Sequence, residues 1–445
     1  MLVLSAITVL TTMGVEFAYN TTVYYNLAQN ERNRLQAYYM ARSAYNFMRL
    51  ELKFDKMFRQ VVQSQNLGQY LGGNAQLPLC QQFPLSTGLI RAVFIKGEVP
   101  GMGGGGGEGE AASAPEETAP APPTEGGENV EEARKDISIS QEQGAKEFLS
   151  FEGDFDGECV DEGTKVNLNG LAGLSQTPGQ DGSPSAFDQY KQFLFRFMSQ
   201  DKFKPLFESA GVRIPDVVTN IGDWIDANNE INELDGRVGG AEITLYQRAL
   251  APYQVKNGKL TTLLEAYLID GVVDEWFDPM IDYFTIYGDG TVNVCAASKE
   301  VVEGLIRRYV DSNPNLPPLR LEDQEEMDRL TSAITEACGA GGTGTQLAQQ
   351  VAQALDTAIG AIAGTTTAPP PAPGATTPPA AGAAPGTPAA GATTSGFASY
   401  ISTEPRYFSL KLTGEVGDTM VRIKSVVDVK DPDPKKWKLL YWKVY

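Results

Sequence analysis

The chain has 445 residues, 42% of them hydrophobic, with no histidine and a formal net charge of −20. This length allows more than one domain. The acidic balance argues against nucleic acid as a partner, because phosphate binding needs concentrated Lys and Arg. The lack of histidine removes Ser-His-Asp and Cys-His nucleophile systems and the usual histidine-containing catalytic zinc sites.

In chain order, residues 1–15 carry no charge, and their polar side chains are Ser5, Thr8, Thr11 and Thr12. Fifteen helical residues span about 22 Å, and a bilayer core of about 30 Å takes some 20 apolar residues. The stretch therefore reads as a slightly short membrane helix (1–16). It passes without a break into a second helical stretch, 17–60. There Leu35, Tyr38, Ala41, Tyr45, Met48 and Leu52 recur at helical spacing as an apolar stripe, while Glu31, Arg32, Arg34, Arg42, Arg49 and Glu51 fall off it. No basic start or cleavage site marks a secretory signal peptide.

The segment FAYNTTVYYNLAQNERNRLQAYYMARSA, residues 17–44, resembles one family, the K minor pseudopilin of type II secretion. The resemblance implies a pilin-like α+β fold, with a long N-terminal transmembrane helix packed on an antiparallel sheet and a large α-helical domain inserted between strands. It places Met1 a few residues inside the mature protein, so that a basic leader and a cleavage glycine are expected upstream. Leu2 then stands about where most pilins carry a glutamate, a departure that suits a subunit with nothing stacked above it. Leu2, Leu35, Tyr38 and Met48 become the expected assembly positions, facing either the sheet of this subunit or a partner helix.

Residues 61–184 read as the pilin-like region. Within it, 100–145 opens with a Gly-, Pro-, Ala- and Glu-rich run expected to be a flexible loop. A GxGxxG match inside the glycine run has no strand before it and no helix after it, so it does not read as a nucleotide site. Residues 146–170 show strand-like stretches broken at Asp-Gly and Glu-Gly. Four widely spaced cysteines without a CxxC suggest disulfides in an exported body. Three pairings are open, and sequence proximity favours Cys80–Cys159 with Cys295–Cys338.

Residues 185–310 read as the inserted helical domain. Phe187, Tyr190, Phe193, Phe197 and Phe203 supply a bulky core at roughly helical spacing. The segment IGDWIDANNEINELDGRVGGAEITLY is similar to a signature of the same family, carried by Asp223, Trp224, Asp226, Asn228, Gly240, Ala241, Glu242 and Tyr246. Asp223, Asp226, Asn228, Glu230 and Asp235 place oxygen-bearing side chains along one loop, the donor type a hard cation such as calcium collects. EF-hand spacing fails, since Ile231 takes the place of the sharp-turn glycine and Arg237 that of the closing glutamate. Asp223 and Asp226 also suit a helix cap and turn in which they accept backbone N–H bonds, and both readings stand. A paired-carboxylate glycosidase would in addition need a sugar cleft. Leu263–Ile281 resembles a helix-hairpin-helix about Asp270-Gly271, but Glu265 and Glu275 around the turn would repel phosphate.

Residues 340–398 read as a Pro/Ala/Thr-rich linker, extended and structureless. Residues 399–445 alternate through Phe408, Leu410 and Leu412, then Val421 and Ile423, then Leu439, Tyr441 and Trp442, a three-stranded antiparallel meander. The ending is similar to the family's, with Leu440, Tyr441, Trp442 and Lys443 in matching places.

The resemblance implies a non-enzymatic assembly subunit at the tip of the secretion pseudopilus, single-pass in the bacterial inner membrane with its body in the periplasm. Its implied partners are the I and J minor pseudopilins, the major pseudopilin, the inner-membrane secretion platform and, for processing, the prepilin peptidase. Calcium is the one cofactor considered. The alternatives are a membrane-anchored DNA-uptake pilin, which would need a basic patch, and a membrane-tethered hydrolase, which would need a convergent polar cleft.

Overall fold

The computed structural model describes residues 2–64, 77–82, 85–91, 152–179, 182–234, 236–247, 252–340, 344–364 and 396–445. The loop expected over 100–145 and the Pro-rich part of the linker lie outside these residues. Helix α1 (Leu2–Ser64) is continuous. It lies on a five-stranded antiparallel sheet built from β1 (Leu85–Ser86), β2 (Asp154–Asp161), β9 (Tyr407–Val416), β10 (Thr419–Asp428) and β11 (Lys438–Val444), in the order β1-β2-β9-β10-β11. Strands β2 and β9 are neighbours in register, Asp154 opposite Glu415 through Asp161 opposite Phe408. Everything between them in sequence is therefore an insertion into this helix-on-sheet frame.

Of the apolar face read in the sequence, α1 buries Ala41, Met48 and Leu52 and adds Ala37 and Ala44, while Tyr38 and Tyr45 are half-buried and Leu35 is exposed. The reason is close approach. A Cβ on Gly414 of β9 would lie 2.1 Å from the Ala37 carbonyl oxygen and 2.5 Å from the Ala41 nitrogen. Helix and strand meet backbone to backbone, which only small residues permit. Of the expected assembly positions, Met48 is fully buried in this subunit's own core, Tyr38 is half-buried against it and Leu35 is 57% exposed. Leu2 begins the helix. Met48 also explains Gly157, expected at a turn but found inside β2: a Cβ there would sit 3.1 Å from the Met48 Cγ. Further along α1, the Lys56 ammonium donates to the carbonyls of Val429, Lys430 and Asp431 at 2.8–3.0 Å, and the Tyr45 ring meets Trp442 edge-on.

The first part of α1 is different. Val3, Leu4, Ile7, Leu10, Met13, Phe17, Tyr24 and Leu27 are all exposed. The expected membrane span at 1–16 is helical from Leu2, yet no helix among the described residues is long and apolar enough to cross a membrane. The uncharged run ends at Val15, with Glu16 next.

The insertion holds the larger core. It contains α2 (Ala186–Met198), α3 (Lys204–Ala210), α4 (Ile214–Ile225), α5 (Asp274–Met280), α6 (Lys299–Asp311), α7 (Gln324–Gly339) and α8 (Gly344–Ile362), with three short strand pairs, β3 (Val166–Asn167) with β6 (Phe284–Thr285), β4 (Glu230–Asn232) with β5 (Val238–Ala241), and β7 (Val292–Asn293) with β8 (Ile401–Ser402). Phe187, Tyr190, Phe193, Phe197 and Phe203 are buried in it, as their spacing predicts. The helix-hairpin-helix-like segment is a 3-10 helix, Leu263–Leu268, then Gly271 at φ 85°, then α5. Helix α8 overturns part of the expected linker. Leu347, Val351, Leu355 and Ile359 recur every fourth residue and are all buried, so the helical part extends past 310 to Ile362. Both disulfides favoured by proximity form, with Cα–Cα distances of 5.9 Å for Cys80–Cys159 and 5.5 Å for Cys295–Cys338. The C-terminal meander is present, with its turn at Gly417 (φ 57°), although Leu439 is 50% exposed rather than core.

Candidate functional site

The most concentrated chemistry in the insertion lies where α4 ends. The sequence IPDVVTNIGDWI makes an amphipathic helix with Pro215 in its first turn, where a missing N–H costs nothing. Its last turn carries Asp223, and Asp226 is the C-cap. This end has the negative pole of the helix dipole, which disfavours carboxylates. Both are nonetheless buried, at 2% and 6% exposure.

After Asp226 the chain turns through Asn228 into a short hairpin, β4 (Glu230–Asn232) with β5 (Val238–Ala241). Gly240, at φ 74°, leads out of β5 and returns Glu242 to the end of α4. Asp223, Asp226 and Glu242 thus offer carboxylate oxygens that all lie within 4.8 Å of one another. Glu242 is 1% exposed, and neither of its oxygens has a hydrogen-bond partner. Burial, together with the charges of Asp223 and Asp226, pushes its carboxyl up to about 8. Burial also pushes Asp223 up to about 7, with the charge of Asp226 adding and the Asn232 N–H and Lys191 opposing. The Asp226 carboxyl is raised by burial as well.

Asp226 is the best-supported member. Its Oδ2 accepts from the side chains of Gln176, Asn228 and Asn232, each at 2.9 Å, and its Oδ1 from the Asn228 N–H at 3.2 Å. Asp223 Oδ1 accepts the Asn232 N–H at 3.0 Å, while its Oδ2 has no partner. The acceptance of backbone N–H bonds expected of these aspartates is therefore present, at a helix C-terminus rather than an N-cap.

Of the five expected cation ligands, Asp223 and Asp226 come together. Asn228 braces Asp226 and accepts the Glu230 N–H at 2.7 Å. Glu230 is exposed on the hairpin. Asp235 lies outside the described residues. Glu242 was not among the five. In the sequence it stands only as part of the family-like signature, and the β4–β5 hairpin brings it back beside Asp226.

The donor set fits a hard divalent cation. It is all oxygen, three carboxylates converge, and three buried carboxylate oxygens have no donor. Asp223, Asp226 and Glu242 are the residues that would hold such an ion, and it would supply positive charge directly among their oxygens.

No protein-family profile matches the chain, and no curated protein matches it. Among solved structures, the chain is similar to a chain of the GspK-GspI-GspJ complex from the enterotoxigenic Escherichia coli type 2 secretion system. Identity is 12% and the TM-score 0.38, over 71% of this chain and 99% of that one.

Proposed function

We propose that this chain is a K-type minor pseudopilin, which joins I- and J-type minor pseudopilins and the major pseudopilin and caps the tip of the type II secretion fibre. The observation that carries this reading is the division of one helix along its length. Ala37, Ala41, Ala44, Met48 and Leu52 of α1 are buried on the sheet, while residues 3–27 leave a long run of apolar and aromatic side chains uncovered. Such a surface is stable only against lipid or other helices. The motifs at 17–44, 223–246 and 405–445 appear in the family's order, which supports the same assignment. On this reading the chain is anchored in the inner membrane with its body in the periplasm, is processed by the prepilin peptidase and engages the inner-membrane platform.

The insertion supplies bulk that blocks further stacking, and a divalent cation, calcium being the candidate, stiffens it through Asp223, Asp226 and Glu242. The role is assembly rather than catalysis. Co-expression with I- and J-type subunits tests it: the full chain should co-purify with both, and Ile7→Asp with Leu10→Asp should abolish recovery while leaving the head folded. Failure of the unaltered chain to bind either subunit would refute the assignment.

A further inference from the structure

Near its C-terminal end α6 carries two consecutive arginines in different settings. Arg307 Nη1 lies 3.3 Å from Glu322 Oε1, an ordinary ion pair. Arg308 turns into the seam between α6, α2 and Tyr400, the residue immediately before β8. Its guanidinium carbon lies 4.8, 5.1 and 4.3 Å from the ring centres of Tyr190, Phe193 and Tyr400. Two of these rings are themselves anchored: the Tyr190 hydroxyl donates to the Asn167 carbonyl at 2.6 Å, and Phe193 belongs to the core of the insertion.

Aromatic rings satisfy a guanidinium through their negative faces. They do nothing for its in-plane edge, where five N–H donors lie. In Arg308 the Nε is enclosed with no hydrogen-bond partner, and among the described residues no carboxylate pairs with the guanidinium. The residue is half-buried rather than sealed, so the fork of terminal nitrogens is reachable from solvent. A structural role accounts for part of this arrangement. The last turn of α6 favours a cation, because the helix dipole is negative there, and the rings favour one too. A lysine would serve both ends. What arginine adds is a planar pair of donors matched to the two oxygens of a carboxylate.

We propose that Arg308 is a receptor for one carboxylate, held by the rings of Tyr190, Phe193 and Tyr400 and open at its edge to an acidic group from another molecule. One fixed cation in a chain of net charge −20 suits a single carboxylate better than a phosphate dianion or a polyanion. An arginine framed by aromatic rings is the composition of an interface anchor, which favours the acidic side chain of a protein partner as the source over a small carboxylic acid. The proposal does not depend on the secretion reading above.

Phenylglyoxal, which adds to accessible guanidinium groups, reads the site in the unaltered chain, with peptide mapping by mass spectrometry giving the rate at each arginine. Sodium acetate in place of sodium chloride, at equal ionic strength, should slow modification of Arg308 by about threefold or more, as mass action requires of an occupied site. It should leave the exposed Arg213 unchanged. Equal slowing at both arginines, or none at Arg308 at the highest acetate concentration that leaves the fold intact, overturns the proposal. A second arm decides the source, using fluorescence anisotropy of labelled alanine-based peptides that carry one glutamate or, in its place, one glutamine. The glutamate peptide should bind the unaltered chain about threefold tighter or more, as a charge-assisted contact predicts. Arg308→Lys should reduce that preference and Arg308→Gln should abolish it. No preference in the unaltered chain, with Arg308 still protected by acetate, assigns the site to a small carboxylic acid. A preference that survives in Arg308→Gln overturns the proposal. If neither variant folds, the phenylglyoxal arm decides alone.

Discussion

Gly414 and Ala37 are the point at which helix and sheet touch without intervening side chains: a Cβ built on Gly414 would sit 2.1 Å from the Ala37 carbonyl oxygen. The contact sets how deeply α1 beds on β9, and so which face of the helix is left for other molecules. Gly414→Ala should force the helix off the sheet and destabilise the head by about 3 kcal/mol, at the upper end of overpacking effects. Gly157→Ala should cost less, because its neighbour is the flexible Met48 side chain. Urea unfolding of the two variants checks the order, and equal stabilities would show that the close approach is not maintained.

The acidic centre makes stability depend on pH with a definite sign. Glu242 and Asp223 hold their protons to about 8 and about 7 in the fold because they are buried, well above the ordinary carboxylate range. The folded state therefore binds more protons than the unfolded chain between about pH 4 and pH 8, so stability falls as pH rises through that window. In EDTA the melting temperature should decline from pH 5 to pH 8. Calcium should flatten the decline, since cation binding displaces those protons. A flat profile in EDTA would show that the carboxylates are solvated.

The disulfide Cys295–Cys338 ties the C-terminal end of α7 to the segment after β7 (Val292–Asn293) across a separation of 43 residues. Chain entropy alone allows a loop of this size about 4 kcal/mol. Replacing both cysteines by serine should lower the stability of the insertion by up to that amount. Thermal unfolding under non-reducing conditions measures it, and no change would mean that the α7–α8 pair is held by packing alone.

Helix α8 makes its own prediction. Leu355 is fully buried, so Leu355→Ala should cost about 3 kcal/mol, as core leucine truncations do. A loss below about 0.5 kcal/mol, the range of surface substitutions, would return the segment to the linker it resembles in composition.

That segment shows where sequence reading fell short. Its stripe of Leu347, Val351, Leu355 and Ile359 is set in Ala, Gln, Thr and Gly, and the Pro/Ala/Thr-rich composition that follows hides the period. On α1 the helical spacing correctly includes Ala41, Met48 and Leu52, but hydrophobicity also singles out Leu35, which is exposed, and passes over Ala37, which backbone approach at Gly414 selects. Glu242 was recognisable only as part of a signature, because its place beside Asp223 depends on a hairpin folding back on itself. What could be read directly was the long helix, the aromatic core of the insertion, the C-terminal meander and, from proximity, both disulfides. Each of these rests on local periodicity or spacing, whereas the places of Ala37 and Glu242 depend on contacts between distant segments and α8 carries a local period hidden by the composition around it.

If the insertion caps a subunit that is otherwise built to stack, fibre assembly depends on its presence. The direct measurement is pseudopilus number and length, by immunofluorescence, in secreting cells that carry either the full chain or a chain in which a short Gly-Ser bridge replaces the segment from Lys165 to Glu404. The shortened chain should still insert in the membrane and dock its helix on the sheet, yet change fibre initiation or length. Fibres of unchanged number and length, with secretion intact, would contradict it.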